Sequence, residues 1–87
     1  MSKQKPERVF RIGNVSSAVF VNTSSREDQG EIVERDFRTV TLQRSYLDNK
    51  DERQYANNFT LGDLPNAIRV LQLAMAHVET EEAQVVG

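Results

Sequence analysis

The side chains able to do chemistry in this chain are mostly cationic and aromatic. Arg11, Arg38, Arg44 and Arg53 recur through segments that also carry Phe20, Tyr46 and Tyr55. Guanidinium groups bind phosphate through paired N–H donors, and flat rings give bases a surface on which to stack. Acid–base or nucleophilic chemistry has far less to work with. An enzyme needs convergent polar groups in a shielded pocket, whereas this sequence has no glycine-rich phosphate loop, no nucleophile motif and no His/Asp/Glu spacing suited to a metal. The absence of cysteine excludes disulfides and thiolate sites, and a single histidine argues against a zinc cluster. His77 stands late in an apolar segment, where an imidazolium suits the helix dipole, and reads as a helix-end or interface residue. Asp48-Asn49-Lys50-Asp51-Glu52 superficially resembles a calcium loop. Lys50, however, takes a ligand position, and the glycine and distal glutamate of an EF-hand are missing. It reads as a hairpin tip. The chain is expected to bind rather than to catalyse, and to need no cofactor.

Bringing those side chains together requires strands. Val9 to Ile12 reads as a short one, followed by Gly13-Asn14, where glycine can supply the positive φ of a type II′ hairpin turn. From Val15 to Asn22, Val15, Ser17, Val19 and Val21 face one way, and Ser16, Ala18 and Phe20 the other. Phe20 is therefore the best candidate for an exposed stacking ring; its alternative is a second small core under a loop. Thr23 to Glu34 is polar and aperiodic and reads as a mobile loop, with Ile32-Val33 at the start of the next strand. In Asp36 to Tyr46, Val40 and Leu42 share a face that Arg38, Arg44 and Tyr46 extend. Thr39, Thr41, Gln43 and Ser45 form the wettable face, where Thr41 and Gln43 can meet phosphates or base edges. Arg53 to Thr60 reads as a fourth strand, with Tyr55 and Phe59 on the same side. Arg38, Arg44 and Arg53 have two readings: phosphate ligands, or partners of Asp36, Asp48 or Glu52.

A helix follows. Thr60 or Asp63 can cap it, and Pro65, tolerated only in the first turn, favours Asp63. Leu64, Ile68, Leu71, Met75 and Val78 make a continuous apolar stripe, expected to cover the sheet face of Val40, Leu42 and Phe59. Val70, Leu73, Ala74 and Ala76 widen it, and Arg69 is the lone formal charge between Leu64 and Val78. A flank of that kind forgoes burial when left in water, and a chain of 87 residues builds little core alone. Val70, Leu73, Ala74 and His77 are accordingly expected at a homodimer interface; the alternative is a helix sunk in its own core.

The net charge of −2 argues against a strongly basic nucleic-acid binder, yet it is unevenly spread. Residues 79–87 carry Glu79, Glu81 and Glu82, and without them eleven basic residues face ten acidic ones. That tail is expected to be disordered, serving solubility or folding over the basic strands in place of a phosphate chain. Residues 1–7 are expected to be a disordered arm, leaving one domain over 8–78. No apolar run is long enough for a bilayer span or a signal peptide, so the expected location is cytoplasmic, away from membranes.

The stretches Ile12-Gly13-Asn14-Val15-Ser16-Ser17-Ala18-Val19-Phe20, Thr39-Val40-Thr41-Leu42-Gln43-Arg44-Ser45-Tyr46 and Asn58-Phe59-Thr60-Leu61-Gly62-Asp63-Leu64-Pro65 look like short bacterial proteins of β4-α plan. The order over residues 8–78 resembles the Whirly-like proteins and the positive-cofactor-four transcriptional coactivator. That resemblance implies a homodimer in which two helices meet and curved sheets hold single-stranded DNA or RNA. The chain departs from the coactivator in lacking a lysine-rich strand surface. The expectation is an α+β fold, a four-stranded antiparallel sheet with one C-terminal helix, dimerising, with Arg11, Phe20, Arg38, Thr41, Gln43, Arg44, Arg53 and Tyr55 meeting nucleic acid. A protein-interaction scaffold on the same fold is the alternative.

Overall fold

The computed structural model describes residues 4–83. Strands β1 (Arg8–Ile12), β2 (Val15–Asp28), β3 (Glu31–Leu47) and β4 (Arg53–Ala56) form one antiparallel sheet in the order β1-β2-β3-β4. A 3-10 turn over Leu61–Asp63 leads into helix α1 (Leu64–Glu82), which lies across β1, β2 and β3. The α+β class and the element order are those expected. Gly13 carries a φ of +61° at the first turn position, the conformation a II′ turn asks of glycine. Pro65 stands in the first turn of α1 and Asp63 at its N-cap. The Asp63 carboxylate makes no cap bond to the helix N–H groups; it reaches back instead, accepting hydrogen bonds from the Thr60 N–H at 3.1 Å and hydroxyl at 2.9 Å.

The segment expected to be a loop over Thr23 to Glu34 is instead the far half of a long hairpin. β2 runs unbroken to Asp28 and β3 resumes at Glu31, in register from the rung Val15↔Arg44 out to Asp28↔Glu31. Gln29 and Gly30 both have positive φ, 52° and 82°, the pairing of a type I′ turn that matches strand twist. Backbone ladder bonds hold this arm, not an apolar face, so no alternation announces it. Every residue from Thr23 to Phe37 is exposed. The arm also explains a radius of gyration of 16.9 Å, against about 12 Å for a compact chain of this length.

α1 seats its small residues. Ala67, Val70 and Ala74 are buried, against Val15 and Val19 of β2, with Phe10, Ile12, Leu42 and Phe59 packed around the cluster. The fully buried Ser17 hydroxyl donates to the Val70 carbonyl at 2.8 Å, so sheet and helix backbone come close. This inverts the expected helix faces. Val70 and Ala74 are fully buried within the chain's own core and are not free for a partner, while Leu73 is half-buried. His77 is also an internal contact, its Nε2 2.7 Å from Glu7 Oε1 and its ring 6.3 Å from that of Phe10. The stripe expected on the sheet points away from it: Ile68 and Met75 are each 56% exposed, and Leu64 and Leu71 are exposed as well. Bulky side chains would hold the helix off the sheet and leave Ser17 without its acceptor. β4 also ends at Ala56, so Phe59 turns into the helix-side cluster while Tyr55 stays outside it.

The ends are more ordered than expected. The Gln4 side-chain amide donates to the Val21 carbonyl, and the Glu7 N–H donates to the Val19 carbonyl at 2.7 Å, so residues 4–7 run alongside β2. α1 continues through Glu79 and Glu81 to Glu82. The remainder of the expected arm and tail, 1–3 and 84–87, lies outside the described residues.

If the small-residue face is the core, Val70→Ala should cost about 1.5–3 kcal/mol in urea unfolding, from lost burial plus a cavity. Gln72→Ala, on the exposed side, should stay within about 0.5 kcal/mol.

Candidate nucleic-acid interface

Strand side chains alternate between faces, and the helix marks which face is which. Val15, Ser17 and Val19 lie beneath α1, so Ser16, Ala18, Phe20, Asn22, Ser24 and Arg26 lie on the open face. Register carries this across the sheet. Arg11 pairs with Ser16, Ser16 with Gln43, Ala18 with Thr41, Phe20 with Thr39, and Ser45 with Tyr55. Side-chain bonds agree: Asn22 Nδ2 donates to Thr39 Oγ1 at 3.0 Å, and Arg53 Nη1 donates to Ser45 Oγ at 2.8 Å.

The open face therefore gathers Arg11, Phe20, Thr41, Gln43, Arg53 and Tyr55 from among the expected site residues. At one end Arg11, Ser16, Ser45, Arg53 and Tyr55 line a groove of about 330 Å³, beside the Gly13-Asn14 turn. Tyr55 is 54% exposed there, while Phe20 is half-buried among its neighbours. The chemistry available is that of an anion site next to stacking surface: guanidinium and hydroxyl donors for phosphate oxygens, and a phenol ring for a base.

Two expected residues do not belong to it. Arg38 and Arg44 project to the helix side and are already engaged. Arg38 makes a two-pronged bond to Glu7, at 2.8 and 3.0 Å, with Glu81 at 3.9 Å and its backbone N–H on Glu82 at 2.9 Å. Arg44 donates to the Asn58 carbonyl at 2.6 Å and to its side-chain oxygen at 2.9 Å, lies 3.8 Å from Asp63 and stacks 5.4 Å from the Tyr46 ring. Both arginines tie the β3 strand to the chain's ends and to the start of the helix. Their partners are not the Asp36, Asp48 or Glu52 weighed from sequence. Asp48 instead accepts from the Lys50 and Glu52 N–H groups, which with the Gln54 amide hold its carboxyl below the usual range and make it the brace of the β3–β4 turn.

Three further residues share this face, on a segment whose composition reads as loop or strand end. Phe37, 40% exposed, pairs with Asn22, and Arg26 and Arg35 line a groove with Ser24 and Val33 on the arm. Their parity is the signal that could have found them: Arg26 continues the series of Ser16 and Phe20, and Arg35 and Phe37 that of Thr39 and Thr41. The same parity sorts charge. Glu27, Glu34 and Asp36 fall on the helix side, and Asp28 and Glu31, the acidic residues of the open face, sit together on the last rung before the turn. Among the described residues no carboxylate lies within 4.0 Å of Arg11, Arg26, Arg35 or Arg53.

Glu81 and Glu82 reach Arg38, and beside β3 they share a groove with Arg35 and Phe37. Among the described residues no helix is long and apolar enough to cross a membrane. No family model matches the chain, and neither the curated proteins nor the solved structures contain a match to it.

Glu7 lies between Arg38 and His77, whose hydrogen bonds lower its pKa from an ordinary 4.5 to about 2. A folded-state value below the unfolded one stabilises the fold above pH 4.5, and the contribution disappears as pH falls through about 2. Glu7→Gln should therefore lower the thermal midpoint by a constant amount above pH 4.5, and the gap from the parent should close towards pH 2.

Proposed function

We propose that this chain is a homodimeric single-stranded nucleic-acid-binding protein that serves transcription or replication as an accessory factor. The observation that carries this reading is the open sheet face. Four arginines, Arg11, Arg26, Arg35 and Arg53, share it with Phe20, Phe37 and Tyr55, and its carboxylates are confined to the Asp28–Glu31 rung. Backbone cations with interspersed rings suit a single strand, whose bases are free to stack, better than a duplex, whose bases are already paired. A face built this way also answers the objection from net charge, since its strand residues carry four arginines against two carboxylates. The likeness in strand order to the Whirly-like proteins and the coactivator points the same way.

The dimer half of the reading rests on the outer face of α1. The exposed Leu64, Ile68, Leu71 and Met75, with the half-buried Val78, alternate at four and three residues, the spacing of a two-helix seam. They stand almost symmetrically about Leu71, which favours antiparallel contact across a two-fold axis. Parallel contact would bring Glu79, Glu81 and Glu82 of both copies together. The same seam is the feature that favours a protein-interaction scaffold instead, with a different chain in place of the second copy.

Anisotropy titration of a labelled oligothymidylate separates these readings. Binding should be measurable at low salt and weaken as salt rises, because cationic contacts release counterions. Arg11→Gln with Arg53→Gln should weaken it about tenfold or more, whereas Arg44→Ala should lower the melting temperature and leave intrinsic affinity unchanged. No binding at low salt would leave the scaffold standing. By sedimentation, Ile68→Glu or Leu71→Glu should convert a dimer to a folded monomer; a parent chain already monomeric at micromolar concentration removes the dimer.

A further inference from the structure

The hairpin arm is a costly feature with no packing to justify it. From Thr23 to Phe37 both strands are exposed on both sides, and a two-stranded ribbon without a covered face is marginal in water. Its open face carries Arg26 and Arg35, which line one groove with Ser24 and Val33. Arg26 pairs with Val33 and Ser24 with Arg35, so the two guanidiniums stem from diagonal positions on neighbouring strands. Side chains so placed are within mutual reach. Glu31 is the other diagonal neighbour of Arg26, and Glu81 and Glu82 share a groove with Arg35. Yet no carboxylate of the described residues is within 4.0 Å of either guanidinium, so both remain open to an anion.

We propose that this arginine pair is a second phosphate-binding station on the arm. The preferred ligand is then a single strand long enough to run from the Arg11–Arg53 groove to Arg26 and Arg35. The inference rests on the nucleic-acid reading and adds the length of the ligand and the part played by the arm. Ten residues of β2 separate Ser16, the rung partner of Arg11, from Arg26, or about 33 Å along the strand at ~3.3 Å per residue. Between the two stations the face presents Ala18, Phe20 and Asn22 on β2, and Phe37, Thr39, Thr41 and Gln43 on β3. That stretch is uncharged and carries two rings, so phosphates are gripped at its ends and bases lie over its middle. A stacked strand rising ~3.4 Å per nucleotide covers the interval in about ten nucleotides, and a splayed one in fewer. Such a length falls within the ~4–16 nucleotides usual for a small backbone-tracking site. A tetranucleotide cannot touch both ends.

The test uses the full chain and labelled oligothymidylates of four and twelve nucleotides, titrated at several salt concentrations. The parent should bind the longer probe at least about tenfold more tightly. Arg26→Gln with Arg35→Gln should remove most of that advantage while leaving the shorter probe within about twofold. The same variant should reduce the slope of log affinity against log salt by about 1.4, since each phosphate contact on a single strand contributes about 0.7. Both substitutions are on exposed strand positions far from the core, and an unchanged circular dichroism melt confirms folding. If the parent binds the twelve-nucleotide probe and the arm variant matches it in affinity and slope, the arm is not a phosphate station, although the face still binds nucleic acid. If the arm variant loses affinity only because its sedimentation changes, the arm belongs to an interface between copies and the proposal is overturned. If the parent binds neither probe, the nucleic-acid reading fails and the arm proposal falls with it.

Discussion

The contact on which the rest of this fold depends is the close seating of α1 on β2. Ser17, with its hydroxyl 2.8 Å from the Val70 carbonyl, is wholly buried between the two elements. A buried hydroxyl without an acceptor costs about 1–3 kcal/mol, so the helix has to stay near enough to supply one. Nearness then selects which helix residues face inward. Ala67, Val70 and Ala74 fit the gap, and the larger Leu64, Ile68, Leu71 and Met75 are turned outward. A close-packed core is thus obtained at the expense of an exposed apolar seam. One small polar contact decides both what the domain buries and which helix face it leaves exposed.

With the helix confined to one side, the sheet has two chemically different faces. On the helix side two cations are engaged internally: Arg38 joins Glu7 and the helix end, and Arg44 joins Asn58 and Asp63 at the helix start. These bonds clamp α1 at both ends to the long strand β3. They lie near the surface, where an ion pair by itself contributes little, so their value lies in geometry shared among several partners. On the open side Arg11, Arg26 and Arg35 have no such partners among the described residues, and Arg53 meets a serine hydroxyl. Two arginines of one strand, Arg35 and Arg38, can therefore serve opposite ends because they differ in parity.

Overall charge hides this arrangement. A net of −2 reads as indifferent to polyanions, but strand alternation places Glu27, Glu34 and Asp36 across the sheet from Arg26 and Arg35. Local potential rather than the total governs approach of a charged ligand. The extended arm lengthens the open face without adding core, which accounts for a molecule 57 Å long and only 17 Å thick.

The order of the elements, the turn at Gly13, the alternation of Val15, Ser17 and Val19 against Phe20, and the wettable Thr39, Thr41 and Gln43 are all legible in the sequence. Each is a local consequence of backbone sterics and of a two-residue period. The arm is not legible, because a ribbon wet on both sides carries no hydrophobic rhythm and is held by backbone bonds that any residue can make. Nor is the inward face of α1: periodicity reveals two apolar stripes, and ranking them by bulk selects the wrong one. Arg38 and Arg44 read from sequence as phosphate ligands or as partners of Asp36, Asp48 or Glu52, and the fold brings Glu7, Asn58 and Asp63 beside them instead. Local periodicity settles which residues share a face of each element. Which of those faces is covered follows from packing alone, because it depends on how closely two surfaces can approach.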